Sequence, residues 1–118
     1  MLPTVLLALT GCANHPAYKP HVDCDRHTDV RCATAALADS DRQLAEIYQR
    51  VADTQEEEGV KRLALSQRNW FKFRDSYAEF VSLREIDAHA AELQLINQKI
   101  DSDLARMTEL SRLAPPPR

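Results

Sequence analysis

Apolar residues recur at intervals of three and four along most of this chain, and the intervals sort into three runs. Such spacing predicts helices with one face turned inward, because residues three and four apart stack on the same side. In the first run, from about Thr28 to Asp53, Leu37, Asp41, Leu44, Tyr48 and Val51 share a face that Ala33, Ala45 and Ile47 widen. In the second, from about Glu57 to Val81, Leu63, Gln67, Trp70, Arg74 and Tyr77 form one stripe. The third, from about Leu83 to Leu113, repeats Ile86, Ala90, Leu93, Ile100, Leu104 and Met107, with Ile96 and Leu110 beside them and Asn97 in the seam. The six prolines all lie before residue 21 or after residue 114, so none interrupts these runs. The expected fold is all-α: an antiparallel helical hairpin and a long third helix of about thirty residues, roughly 45 Å.

Polar residues break the apolar stripes at chosen places. A buried amide or charge costs free energy unless a partner satisfies it, so Asp41, Gln67 and Arg74 each demand one. Folding the hairpin at its turn near residue 55 makes facing positions add to roughly 111. Tyr48 then meets Leu63, Leu44 meets Gln67, Asp41 meets Trp70, and Leu37 meets Arg74. The expectation is a partly buried Asp41–Arg74 ion pair, with Gln67 closing a hydrogen-bond network around Trp70. The alternative is an Arg74 that reaches solvent with its stem packed on the indole.

At 118 residues the chain has room for one domain, expected over residues 24–113, with a disordered tail at 114–118. Its net charge of −3 is spread rather than clustered, which leaves no basic footprint for nucleic acid. The turn Thr54 to Gly59 is acidic, and its glutamates suit the N-terminus of the second helix. There is no Gly-rich phosphate loop, no nucleophile elbow and no His-Glu-x-x-His, so neither catalysis nor a cofactor is expected.

The N-terminus carries the address. Leu2 to Leu9 is a short apolar run ending in Leu9, Thr10, Gly11 and Cys12, which resembles the lipobox of bacterial lipoproteins. Residues 1–12 are then a signal peptide whose Cys12 is acylated, and acyl chains together would anchor the protein stably. No Lys or Arg precedes the run, where a signal peptide should begin with positive charge, so the natural start is expected upstream. Ala13 after the cysteine resembles the pattern of lipoproteins passed to the outer membrane, which places the domain on its periplasmic face. Residues 13–23 read as a flexible tether. Export implies an oxidising compartment, where Cys24 and Cys32 would form a disulfide. A rival reading pairs those cysteines with His21 and His27 around a metal, although zinc favours shorter cysteine spacings.

The residues Cys24, Thr28 and Cys32, then Asp41, Leu44 and Tyr48, then Leu63, Gln67, Arg68, Trp70, Phe73, Arg74 and Asp75 resemble the LprI-type lysozyme-inhibitor domain. The Gln-Arg-x-Trp-x-x-Phe-Arg-Asp segment is the most specific part, and the resemblance covers residues 24 to about 80. It implies a small, helical, exported and often lipid-anchored domain, and it adds Asp75 to the structural network. Ala45 stands for the family's asparagine, Phe73 for tyrosine, and Ala78 for a third cysteine, while a fourth near the last helix is also missing. Loss of both fits a scheme in which those two pair with each other and Cys24 pairs with Cys32. The implied partner is a lysozyme-type hydrolase, with Asp53, Glu56, Glu57 and Glu58 as the exposed acidic candidates for contact. The alternative is an adaptor or structural lipoprotein that self-associates or joins an envelope assembly through the third helix.

Overall fold

A computed structural model describes residues 23–116 of the protein. Cys12, the signal segment 1–12 and the tether up to residue 22 lie outside the described residues, as do His21, Pro117 and Arg118. Three helices make up the fold: α1 (Val30–Ala52), α2 (Glu57–Ser82) and α3 (Ala88–Ser111), with no strand among the described residues.

Local chemistry sets the helix ends. Asp29 caps α1, its carboxylate accepting from the backbone N–H groups of Arg31 at 2.9 Å and Cys32 at 3.4 Å. The turn at Asp53–Glu56 follows, and Glu57 and Glu58 then occupy the first turn of α2, where the helix dipole favours negative charge. The expected start of the third helix at Leu83 is corrected. Bonds from the N–H groups of Leu83, Arg84 and Glu85 to carbonyls three residues back close α2. Asp87 adopts an extended conformation and caps α3 through the N–H of His89. Ile86 therefore falls in the connection and is fully exposed instead of opening a core seam. With 24 residues α3 is about 36 Å long, comparable with α1 and α2 and shorter than the thirty residues expected.

Packing departs from a simple two-helix clamp. α3 lies closest to α1 and also carries α2, while α1 and α2 themselves meet over a short stretch. The buried line on α1 runs Ala33, Ala36, Ser40, Leu44, Ile47, Val51. Three small side chains in its first half let the α3 backbone come near. That rotation leaves Ala45 exposed and Leu37 half-buried, whereas both were expected on the inner face. Leu44, Ile47, Val51, Met107 and Leu110 form the apolar core, with Tyr48, Leu63, Trp70, Leu104 and Ala114 packed against it. Ala114 thus belongs to the domain rather than to the tail.

Cys24 and Cys32 are joined by a disulfide, with their Cα atoms 6.0 Å apart, so neither is free to ligate a metal. The bridged loop is fastened to α3 as well. The carbonyl of Arg26 accepts from Asn97 Nδ2 at 2.7 Å, its guanidinium donates to Asn97 Oδ1, and it reaches Asp101 at 3.5 Å. The polar residue in the α3 seam is thereby accounted for.

Candidate functional site

The buried faces of the three helices converge on one guanidinium. Arg74 Nη1 donates to Asp41 of α1 at 2.8 Å and to Asp103 of α3 at 2.9 Å, and its Nε donates to Asp75 at 2.9 Å. Arg74 is 7% exposed, so the alternative in which it reaches solvent does not hold. Lys99 stands 3.8 Å from Asp75 on the outer side. Asp103 is wholly buried, and Ser40 Oγ donates to its second oxygen at 2.6 Å. The group is a knot of charge in which each helix supplies at least one member.

Electrostatics in this knot are unequal. Burial pushes the Asp103 carboxyl up to about 7, and the adjoining Asp41 carboxyl pushes the same way, against the bonds from Ser40 and Arg74. Burial also opposes the charge on Arg74, but its bonds to Asp103 and Asp75 and the field of Asp41 outweigh it, so its pKa stands above the usual value. Asp103 is closed to any substrate at zero exposure, and the residues around it join helices. The chemistry of the cluster is that of a clamp.

Trp70 links this clamp to a second one. The Arg74 guanidinium lies 5.7 Å from the indole centroid and 4.9 Å from that of Phe71, and Arg106 lies 5.8 Å from the indole. Gln67 accepts from Arg106 Nε at 3.0 Å, while the other nitrogens of Arg106 reach Ser66 and Glu109. Gln67 is thus answered from α3, and Trp70 joins the two arginines through its ring. Asp41, Gln67, Trp70, Arg74 and Asp75 do come together, but Ser40, Asp103, Lys99 and Arg106 complete the arrangement and were not anticipated. Asp103 was legible: it lies three residues after Ile100 and four before Met107, interrupting an apolar seam as Asp41 does.

Two exposed surfaces among the described residues bear on contact with other molecules. At the hairpin tip, Asp53, Glu56, Glu57 and Glu58 are all exposed. Glu58 accepts from Arg62 at 2.8 Å, Glu57 stands 3.5 Å from Lys61, and Asp53 accepts from Gln49 at 2.8 Å. The second surface lies on α2. Tyr77, expected on the buried stripe, is 41% exposed and stands between exposed Phe73 and Phe80. The buried line passes instead from Arg74 to Ala78 and Val81, because alanine lets the neighbouring helix close in where tyrosine would hold it off. Among the described residues no helix is long and apolar enough to cross a membrane.

In comparison with known proteins, a family model described as "Lysozyme inhibitor LprI" matches residues 24–110. That span begins at the first cysteine of the disulfide and ends at Leu110 of the core, and so takes in α1, α2 and all of α3 but its last residue. No curated protein and no solved structure matches.

Proposed function

This chain belongs to the lysozyme inhibitor LprI family, and from that premise we propose that it acts by binding and restraining a lysozyme-type hydrolase in the cell envelope. The observation that carries the reading is the family match across the whole helical domain. The clamp built on Arg74 supports it, since a rigid three-helix scaffold presents surface side chains with little ordering left to do on binding. Members of this family are inhibitors rather than enzymes, and the fully buried carboxylate of Asp103 serves to join helices. The exposed acidic tip at Asp53, Glu56, Glu57 and Glu58 would steer the domain toward cationic hydrolases.

Anchoring is part of the proposal. Leu9, Thr10, Gly11 and Cys12 support acylation at Cys12 after export, with residues 13–23 as the tether to the periplasmic face of the outer membrane. The adaptor alternative drew on a third helix longer than its neighbours, and no observation now favours it.

The test is direct. Clearing of a cell-wall suspension by several lysozyme types should slow when the protein is added at micromolar concentration. Unchanged clearing with every type would remove the inhibitor reading. Labelling with a palmitate analogue in the native host, compared with Cys12→Ser, tests the anchor separately.

A further inference from the structure

Along α2 the residues Arg62, Ser66, Asn69, Phe73, Tyr77 and Phe80 step by four, three, four, four and three, which makes them one continuous ridge. All six are exposed. The ridge lies about 100° around the helix from the buried row that contains Arg74. Phe73 and Phe80 are 60% and 64% exposed, and Tyr77 is 41%. At about 200 Å² per aromatic side chain, that leaves roughly 300 Å² of contiguous ring surface, the scale at which an apolar patch marks a binding site. The rings are already ordered against one another: Phe73 and Tyr77 stack at 5.5 Å, and Tyr77 and Phe80 stand 6.4 Å apart.

The charge pattern says what this ridge fits. The chain has 18 acidic residues and a net charge of −3, yet no carboxylate lies on the ridge between Arg62 and Phe80. Between Arg62 and Phe80 its polar members are serine and asparagine, and Lys72 and Glu79 flank it, each one position before a phenylalanine. A ridge of rings and neutral hydrogen-bonding groups, none of whose own positions is a carboxylate, complements a concave surface that is lined with carboxylates and built to hold ring-shaped ligands. Glycoside-hydrolysing clefts have that character, with two carboxyl groups flanking the sugar that is cleaved. An anionic bilayer fits less well, because it would call for several free cations and Arg62 is already paired with Glu58.

We infer that the aromatic ridge of α2 is the surface that enters the carboxylate-lined, sugar-binding cleft of a lysozyme-type hydrolase. This rests on the inhibitor reading above and assigns it a surface. Phe73, Tyr77 and Phe80 take the place of sugar rings, and Ser66 and Asn69 supply neutral hydrogen-bonding groups beside them. Arg74, one position along from Phe73, ties the ridge to the other two helices.

The experiment measures binding of the full chain to chicken-type and goose-type lysozymes, with and without saturating chitotriose to fill the cleft. The variants are Phe73→Ser combined with Phe80→Ser, and Val60→Thr, which changes an exposed apolar residue off the ridge. Circular dichroism confirms that each retains its helices. The expected result is binding by the wild type, at least tenfold weaker binding by the double variant, unchanged binding by Val60→Thr, and competition by chitotriose. Wild-type binding that survives the double substitution, or that ignores chitotriose, overturns the ridge assignment and leaves the inhibitor reading standing. Failure of the wild type to bind either lysozyme overturns both. Flotation on phosphatidylglycerol vesicles, or dimerisation in light scattering, that is lost in the double variant while lysozyme binding persists assigns the ridge to a bilayer or a second copy and overturns the proposal.

Discussion

Replacing Asp103 with asparagine should remove a pH dependence of stability that most carboxylates would not produce. The folded protein holds this carboxyl at about 7 against a usual value of 3.8. Between those two values the native state keeps a proton that the unfolded chain has released. Stability from this group is therefore fully present below about pH 3.8, falls as pH rises through the interval, and is gone above about 7. The gap between 3.8 and about 7, at 1.36 kcal/mol per pH unit, gives an upper figure near 4 kcal/mol, and a loss of about 2–4 kcal/mol is expected overall. An asparagine side chain at this position would resemble the protonated acid in shape and charge. Its oxygen can accept from Arg74 and its amide can donate to Asp41, while Ser40 still has the carbonyl of Leu37 at 3.1 Å as an acceptor. Urea unfolding followed by the fluorescence of Trp70, the single tryptophan, at pH values from 5 to 8 gives the comparison. The wild type should lose stability from pH 5 to pH 8, and Asp103→Asn should lose much less. Parallel slopes in the two proteins, or a wild type more stable at pH 8 than at pH 5, would refute the account of a proton held on buried Asp103.

Two further perturbations test the scaffold. Arg74→Ala strands the buried Asp103 and should cost about 3–5 kcal/mol, whereas Asp41, 41% exposed at its side chain, should cost less on replacement by alanine. In the double mutant the losses should fall short of their sum by about 1 kcal/mol, and strict additivity in chemical denaturation would show that the pair does not couple. Changing both Cys24 and Cys32 to alanine opens a loop of sequence separation 8, and the chain-entropy figure of about 2.5 kcal/mol should appear as a lowered denaturation midpoint. An unchanged midpoint would mean that the bonds from Arg26 to Asn97 and Asp101 hold the loop without the bridge.

Three helices and most of their ends were legible because helix formation is local. Periodicity placed α2 within a residue at either end and α1 within two, and the acidic turn marked a start that the structure keeps. Asp87 carries the signal for the true start of α3, since an aspartate before a helix is a cap, and it leaves Leu83 and Ile86 outside that helix. Asp41 and Arg74 were legible as a pair because each is a charge set in an apolar row. Arg106 gave less notice, because an arginine at a partly exposed position is ordinary.

By itself the sequence determined the number of helices and the spans of the first two, the bridge between Cys24 and Cys32, and membership of an inhibitor family, all of which rest on neighbours in the chain or on motif residues. Tertiary structure decided how each helix is rotated about its own axis. Small residues at Ala33, Ala36, Ser40 and Ala78 admit a neighbouring backbone, and packing density rewards that approach over the broader stripes that periodicity alone allowed. That choice put Asp103 at zero exposure between Ser40 and Arg74 and turned Tyr77 outward between Phe73 and Phe80. No spacing rule contains it, because it depends on which side chains from distant parts of the chain fill the same volume.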